Sequence, residues 1–265
     1  MTNVNAIFYK QLKDTLKNPA SMTQFIIFPL LAFVLNILMN TERMAEEMME
    51  ILPSALPYGA DLEAIREGMF AGMMTNMPNM TTMQATVFAG MGLIPIVAGI
   101  IAEDIETKSL RFLSMAGIRP IAYLAGIAGV IMFISLFTSV AFSLIAGFTG
   151  IDFVIFTAAM MSGVAGSIVL GATFGIMTKN QQASAGITMP IALILGFGPV
   201  MAQMHSGVAR FMRFTYTQQL NIIADNLTVG GIDTPLWQSF SIMWANIAVL
   251  GLLFVFVFRM KWSVE

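Results

Sequence analysis

The sequence predicts an all-α integral membrane protein with six transmembrane helices, an N-terminal interfacial helix and a short cytoplasmic helix between two spans. Of the 265 residues, 57% are hydrophobic and only 11% are charged, whereas a soluble domain has about 25% charged residues. The apolar residues also form runs close to the ~20 residues that cross the hydrocarbon of a bilayer. The net charge of −2 is too small to favour a nucleic-acid partner.

Residues 1–20 predict an interfacial helix, because apolar side chains fall on one helical face and lysines on its flanks. The apolar residues are Ile7, Phe8, Leu12 and Leu16, and the lysines are Lys10, Lys13 and Lys17. We expect the apolar side to lie in the lipid headgroups, and Asn18-Pro19 to end the helix. The apolar run that starts near Met22 lacks an A-x-A cleavage site and therefore predicts a retained span.

Apolar runs predict membrane spans at 22–39, 83–101, 121–147, 153–178, 184–203 and 238–258. An even number of spans places both termini on the same side. The Lys and Arg residues of that side are Lys10, Lys13, Lys17, Lys108, Arg111, Arg119, Lys179, Arg259 and Lys261, and the other side has Arg43, Arg66, Arg210 and Arg213. Because cytoplasmic loops carry the excess of Lys and Arg, we expect both termini to be cytoplasmic.

The two longer segments on the predicted outer side differ in character. Residues 40–82 are acidic and rich in methionine, and they predict short amphipathic helices interrupted by Pro53 and Pro57. Residues 204–237 contain the stretch FMRFTYTQQLNIIADNL, whose apolar residues recur at helical spacing. We expect this stretch to lie in the outer interface or to dip into it.

Charge is densest in residues 101–127, IAEDIETKSLRFLSMAGIRPIAYLAGI. A segment this polar predicts a loop between the second and third spans. Within it, the residue spacing predicts a short helix with charges on one side and an apolar stripe on the other. The stripe consists of Leu110, Phe112, Leu113 and Met115. Two interpretations remain open: the helix lies on lipid alone, or it offers a face to a cytoplasmic partner.

The predicted spans contain almost no ionisable side chains, which argues against a proton- or sodium-coupled carrier. The chain also lacks the G-x-x-x-x-G-K-[ST] phosphate loop, so it is not predicted to hydrolyse ATP itself. Cysteine is absent, which excludes disulfides and thiolate metal sites. If this protein moves a substrate uphill, the energy must therefore come from another source, and we expect a chain that is not an enzyme and has no cofactor of its own.

Three stretches are similar to the ABC type-2 transporter permease family, the membrane half of bacterial ATP-binding-cassette exporters. LKDTLKNPASMTQFIIFPLL resembles the family's interfacial helix, its Asn-Pro break and its proline-bearing first span. EDIETKSLRFLSMAGIRPIAYLAGI resembles its coupling helix, with Lys108-Ser109 where the family often has Gly-Thr. GFGPV followed by RFTYTQQLNIIADNL resembles the proline-containing fifth span and the short outer helices after it.

The resemblance implies a partner ATPase that binds ATP and Mg²⁺ and docks on the coupling helix. The docking residues that it implies are Asp104, Glu106, Ser109, Leu110, Arg111 and Leu113. It also implies a homodimer, or a heterodimer with a second permease, whose seam involves the first and fifth spans, in a bacterial plasma membrane. The implied activity is alternating-access export of an amphipathic compound such as an antimicrobial peptide, a drug or a lipid-like molecule.

Proline and polar residues of the first and fifth spans are candidates for the substrate path. Pro29, Pro190 and Pro199 predict kinks that free backbone carbonyls. Asn36 and Thr188 supply polar groups. A conventional helix–helix hydrogen bond is an equally good interpretation of each polar group.

Two other features leave alternatives open. Gly171 and Gly175 in the fourth span have G-x-x-x-G spacing, which predicts close packing within one bundle in preference to a dimer seam. Thioether ligands for Cu(I) are available from Met69, Met73, Met74, Met77, Met80 and Met83, although methionine is frequent throughout the chain. The alternative functions are a membrane sensor or immunity component that binds a peptide at its outer loops, and a metal- or lipid-handling protein without an ATPase.

Overall fold

The computed structural model describes residues 3–38, 80–115, 117, 120–229 and 235–262, and every regular element in these ranges is helical. The elements are α1 (Asn3–Lys17), α2 (Pro19–Leu38), α3 (Met80–Val87), a π-helix (Phe88–Gly92), α4 (Leu93–Glu106), α5 (Ser109–Met115), α6 (Pro120–Ile145), α7 (Gly150–Met177), α8 (Gln181–Met204), α9 (Ser206–Met212), α10 (Tyr216–Val229) and α11 (Leu236–Trp262). The segment 40–79, for which short amphipathic helices were predicted, lies outside the described residues together with its methionines. Arg119 also lies outside them.

Within the described ranges, five helical segments are long and apolar enough to cross a membrane, and a sixth is added if α1 and α2, bent by 62° relative to each other, form one span. The five are Met80–Glu106, Ile121–Ile145, Gly150–Met177, Gln181–Met204 and Leu236–Met260. Their bounds differ from those of the predicted spans by five residues or fewer at either end. The prediction of an all-helical, multi-pass membrane protein is thereby confirmed, whereas the sixth span depends on how α2 is counted.

The bundle has two ends, which we call the α1 side and the opposite side. On the α1 side, α4 ends beside α1, and the chain turns at 178–180 between α7 and α8. On the opposite side, the chain turns at 146–149 between α6 and α7, where Gly147 and Gly150 have φ angles of 76° and 59°. Both glycines adopt the left-handed conformation that a residue with a Cβ atom rarely takes.

The second span, Met80–Glu106, forms the centre of the bundle, with 78% of its most apolar stretch buried against 11% for the last span. It packs closely against α7 because two glycines of α7 face its backbone. A Cβ atom at Gly171 would lie 2.7 Å from the carbonyl oxygen of Ile94, and one at Gly175 would lie 2.8 Å from that of Ala98. The predicted G-x-x-x-G packing within one bundle is therefore confirmed.

The π-helix at Phe88–Gly92 interrupts this central span where α8 crosses it. A Cβ atom at Gly90 would lie 2.7 Å from the backbone nitrogen of Gly196 in α8. The ring of Phe88 is fully buried and makes edge-to-face contacts with Phe25 and Phe28 of α2. A single π-helical turn inside a span often marks a functional position, and this one lies at a close approach of two helix backbones.

Helix α1 packs against α6 with part of its apolar side, whereas Leu16 is 55% exposed, and its position in the lipid headgroups stays a prediction. Ile7 is 7% exposed and lies beside Gly126, where a Cβ atom would be 2.5 Å from its Cγ2 atom. Phe8 lies over Gly129 and makes an edge-to-face contact with Phe133. The two glycines leave a groove in α6 that accepts Ile7 and Phe8 of α1. The lysines of this helix are exposed, as predicted: Lys10, Lys13 and Lys17.

Helices α9 and α10 form a hairpin that returns into the bundle from the opposite side. Met212, the last residue of α9, packs beside Gly198 of α8. The Asn246 side chain of α11 donates to the carbonyl of Phe214 at 2.6 Å. At about 1.5 Å per helical residue, Asn246 lies ~15 Å along α11 from Leu236. The stretch that was expected to lie in the outer interface or dip into it therefore enters the apolar part of the bundle.

Candidate functional site

The charged stretch after the central span is a helix end, a left-handed turn and a second short helix. The backbone N–H and the hydroxyl of Thr107 both donate to the carbonyl of Glu103, at 2.9 and 2.8 Å, which ends α4. Lys108 then adopts a φ angle of 59°, in the left-handed region that favours glycine. This turn separates α5, Ser109–Met115, from the central span.

Lys108→Gly is expected to stabilise the protein by about 0.5–1 kcal/mol, because the left-handed conformation is strained for a residue with a Cβ atom but not for glycine. The midpoint of thermal unfolding in mild detergent should rise accordingly. Lys179→Gly is the matched control, since Lys179 has no positive φ angle, and it should lower the midpoint or leave it unchanged. An equal rise in both variants would contradict the backbone explanation and point to the lost lysine charge.

An ion-pair cluster, in which the carboxylate is buried and the lysine is exposed, lies at the end of α4. Asp104 is 9% exposed, and its Oδ2 atom accepts a 2.6 Å hydrogen bond from the Tyr123 hydroxyl of α6. Its Oδ1 atom lies 3.8 Å from Lys10 Nζ of α1. A buried carboxylate requires such partners, because an unpaired charge is costly away from water. The cluster of Lys10, Asp104 and Tyr123 therefore joins α1, α4 and α6 at one point.

Two further carboxylates of α4 contact the start of α8. Gln181 donates from Nε2 to Glu103 Oε2 at 2.8 Å and from its backbone N–H to Glu106 Oε2 at 3.2 Å. Glu106 thus lies at the N-terminal end of α8, where the helix dipole favours a negative charge. The side chain of Asn180 caps the same helix by accepting from Ala183 N at 2.8 Å. Together with the ion-pair cluster, these contacts bring the ends of four helices together on the α1 side.

A polar cleft of about 450 Å³ opens between α1 and the end of α4. Its lining combines basic, acidic and neutral polar side chains, among them Lys10, Asp14, Lys17, Glu103 and Thr107. Because charges of both signs line the cleft, it suits the polar side chains of another protein better than an apolar ligand.

The predicted docking residues differ in exposure. Asp104 is buried in the ion-pair cluster, whereas Glu106 is exposed. Ser109 is half-buried, and Leu110 is half-buried against the core of the bundle. In this conformation, Glu106 is therefore more accessible to a partner than Asp104 or Leu110.

Two more of the predicted docking residues, Arg111 and Leu113, have side chains outside the described residues. The exposed apolar side chains of α5 are Phe112, at 65%, and Met115, at 66%. Tyr123 was not predicted to be functional, although a polar tyrosine one turn into an apolar span is a signal for a buried partner.

The candidate path residues do not form one polar surface. Asn36 donates to Thr81 Oγ1 at 3.1 Å and to the Ile145 carbonyl at 3.4 Å, which fits the interpretation of a helix–helix hydrogen bond. Thr188 donates within its own helix, to the Ser184 carbonyl at 2.7 Å. Asn36 lies near the opposite-side end of α2, while Thr188 lies two turns from the α1-side start of α8. Of the three candidate prolines, Pro29 and Pro199 are buried and Pro190 is exposed.

Asp225 of α10 forms a second carboxylate cluster, at the opposite side. Its Oδ2 atom accepts hydrogen bonds from Asn221 Nδ2 at 2.7 Å and from Gln203 Nε2 at 3.3 Å, which joins α10 to the end of α8. Burial raises the pKa of Asp225 from its ordinary value of 3.8 to about 6, and the two amide hydrogen bonds partly oppose this rise. The carboxyl group is therefore more easily protonated in the folded protein than in the unfolded chain.

Asp225→Asn is expected to remove part of the pH dependence of stability between about pH 4 and 7. Because the folded-state pKa is raised, the contribution of Asp225 is fully present below its unfolded pKa and is lost as the pH rises through about 6. The loss is at most about 2–3 kcal/mol. Thermal unfolding midpoints measured across this range should fall less steeply in the variant than in the wild type. Asp152→Asn, which removes one carboxylate outside this cluster, is the matched control for the loss of a charge.

Within the described ranges, no three His, Cys, Asp or Glu side chains lie close enough together to hold a metal ion. The predicted Cu(I) ligands Met69, Met73, Met74 and Met77 lie outside those ranges, so the copper hypothesis stays a prediction. The long apolar helices define the class of protein, a multi-pass helical membrane protein. No family model matches the chain, and no curated protein matches it at a significant level.

Proposed function

We propose that this chain is the permease subunit of an ATP-driven exporter of amphipathic compounds in a bacterial plasma membrane. A separate ATPase subunit, which binds ATP and Mg²⁺, docks on α5, and its closure drives alternating access. The observation that carries this proposal is α5 itself, a short helix with exposed Phe112 and Met115 directly after the most buried span. Exposed apolar side chains on a loop helix offer the kind of anchor that a groove on another protein accepts.

The contacts at the end of α4 support a role in transmitting motion. The cluster of Lys10, Asp104 and Tyr123 joins α4 to α1 and α6, and Gln181 joins it to α8. A partner that displaces α5 therefore acts on four helices together. Rigid-body movement of helices joined in this way is a common route from a local event to a change at a distance.

The distribution of charge supports a cytoplasmic α1 side. The described basic residues at this end include Lys10, Lys13, Lys17, Lys108 and Lys179, whereas Arg210 and Arg213 belong to the hairpin that enters from the opposite side. An excess of Lys and Arg marks the cytoplasmic side of a membrane protein. On this orientation both termini are cytoplasmic, and α5 is accessible to a cytoplasmic ATPase.

The backbone of Lys108 supports the family resemblance. The family often has glycine at the position of Lys108, and in this chain Lys108 has the left-handed φ angle of 59° that glycine accommodates most easily. A lysine in this conformation is therefore consistent with a turn that persists although the glycine has been replaced.

Exposed faces of α2 and α8 support a dimer, with a second copy or with a sister permease. Ile27 and Leu30 of α2 and Leu193 of α8 are each 42–55% exposed. Near the start of α8, a Cβ atom at Gly186 would have no neighbour within 4 Å among the described residues. Small residues on an open face allow another helix to approach closely.

The docking proposal is tested by placing charges on α5. Phe112→Glu combined with Met115→Glu should abolish co-purification of the ATPase in mild detergent, because both exposed apolar contacts are lost. The unfolding midpoint should change little, since neither side chain is buried. The control, Asn5→Glu combined with Ala6→Glu, adds the same charge at exposed positions of α1 and should keep the ATPase bound. Normal co-purification with the α5 variant would remove the coupling role from this helix.

A further inference from the structure

The turn of the α9–α10 hairpin, residues 213–215, has the internal hydrogen bonds that a turn requires in surroundings without water. Three successive carbonyls accept hydrogen bonds from side chains: that of Met212 from Thr215 Oγ1 at 2.8 Å, that of Arg213 from Gln219 Nε2 at 2.6 Å, and that of Phe214 from Asn246 Nδ2 at 2.6 Å. A turn at an aqueous surface can leave its carbonyls to water. Within a membrane every such group needs an internal partner.

Tyr216, at the start of α10, anchors this turn deep in the bundle. It is 1% exposed, and its hydroxyl lies 2.9 Å from Ser167 Oγ in α7. Its ring fills the space beside Gly166, where a Cβ atom would lie 3.0 Å from the ring. Ser167 is ~25 Å along α7 from Gly150, at about 1.5 Å per residue. The tip of the hairpin therefore lies well below the opposite-side surface of the bundle.

Two arginines are exposed at this tip, in the sequence RFMRF at 210–214. Arg210 and Arg213 are one helical turn apart, and neither forms a salt bridge with a residue in the described part of the chain. Phe211 and Phe214, beside them in sequence, are 72% and 66% exposed. A charged side chain at membrane depth is costly and typically marks a substrate or ion pathway.

The carboxylate of the same hairpin does not neutralise these arginines. Asp225 accepts its hydrogen bonds from Asn221 and Gln203. The tip therefore presents two fixed positive charges and two apolar rings that no described residue covers. This combination is complementary to a molecule with an acidic group and an apolar body.

We propose that the hairpin tip binds the acidic group of an anionic amphiphile, with Arg210 and Arg213 holding the phosphate, sulfate or carboxylate and with Phe211 and Phe214 against its apolar body. This inference rests on the proposed export function where it assigns a substrate class: the exported compound is an amphipathic acid. Arginine suits this role because its planar guanidinium can donate two parallel hydrogen bonds to one acidic group.

Binding of dodecyl phosphate to the purified full-length chain in a neutral maltoside detergent tests the proposal without the ATPase. Isothermal titration calorimetry should give saturable binding for the wild type and none for dodecyltrimethylammonium, a cation of equal chain length. Arg210→Gln combined with Arg213→Gln should weaken binding by about tenfold or more, because charge-assisted hydrogen bonds are lost. Arg210→Lys combined with Arg213→Lys keeps the charge and should lose less affinity.

Arg259→Gln is the matched control, since Arg259 is an exposed arginine at the α1-side end of α11, and it should bind the probe like the wild type. Equal affinity of the wild type and the double glutamine variant would overturn the proposal. Equal weakening in Arg259→Gln would also overturn it, because binding would then reflect general positive charge. If the glutamine variant does not fold, Phe211→Ala decides: weaker binding supports the tip, and unchanged binding contradicts it. Binding of the probe without co-purification of the ATPase would contradict the proposed export function and still support this site. Co-purification of the ATPase without binding of the probe would contradict only the site.

Discussion

Replacing both Gly171 and Gly175 by alanine is expected to destabilise the bundle, because each added methyl group would meet the backbone of α4. The new Cβ atoms would lie 2.7 and 2.8 Å from the carbonyl oxygens of Ile94 and Ala98. Backbone atoms cannot rotate away as side chains do, so α4 and α7 must move apart. Each overpacked site costs typically 1–3 kcal/mol, and the better helix propensity of alanine returns only about 1 kcal/mol per site. The yield of monodisperse protein and the unfolding midpoint in detergent measure the loss.

Gly99→Ala in α4 is the matched control for this prediction, because a Cβ atom there would meet nothing within 4 Å. Gly251→Ala in α11 has the same open surroundings. Both controls should raise the unfolding midpoint slightly or leave it unchanged, since alanine favours a helix more than glycine does. A double variant at Gly171 and Gly175 that unfolds at the wild-type temperature would show that α4 and α7 do not pack through these glycines.

The spans could be predicted because their signal is local. A run of apolar residues such as 153–178 predicts a helix whatever its neighbours are, and the observed α7 covers Gly150–Met177. One helix end followed from local chemistry too: Asn18-Pro19 was predicted to end the first helix, and α1 ends at Lys17. The sequence also assigned Gly171 and Gly175 correctly to packing within the bundle, since small residues four apart form a flat helix face.

What could not be predicted depends on residues distant in sequence. The apolar face of α1 suits lipid and a protein groove equally well, and only Gly126 and Gly129 decide in favour of α6. The depth of the α9–α10 hairpin depends on Asn246 and Ser167, which belong to other helices. Neither contact can be recognised from the spacing of apolar residues in the stretch 204–237.

The short helix after the second span was predicted in position, whereas the burial of the residues around it could be predicted only in part. The charged loop and its short helix lie where the sequence placed them, at the end of the second span. A carboxylate in such a loop is expected to face water, but Asp104 is buried because Tyr123 and Lys10 approach from two other helices. Apolar residues at helical spacing gave no indication of which would pack inward, and Leu110 does so while Phe112 is exposed. Docking of a partner on this helix stays a prediction.

Asp104→Ala is expected to lower the free energy of unfolding by about 1–3 kcal/mol, because it leaves the buried Tyr123 hydroxyl without its partner. The ion pair adds little, since its lysine is exposed. Tyr123→Phe should cost about 1.5–3 kcal/mol, since it removes a hydrogen bond to a charged group. The double variant should cost less than the sum of the two, with a coupling energy of about 1–2 kcal/mol, because each single change already breaks the same contact. Denaturation in detergent of the four proteins measures this cycle.

Lys13→Met is the control for the same cluster, since Lys13 is an exposed lysine of α1 outside the ion pair, and it should leave stability near the wild-type value. Additive losses for Asp104→Ala and Tyr123→Phe would show that the two side chains act independently and that the 2.6 Å hydrogen bond contributes little. The functional consequence follows from the same contacts. If Asp104 joins α1, α4 and α6, its alanine variant should still bind the ATPase through the exposed side of α5 but should lose substrate-stimulated ATP hydrolysis. Stimulated hydrolysis at the wild-type rate would mean that the motion of α5 reaches the bundle through Gln181 and α8 instead.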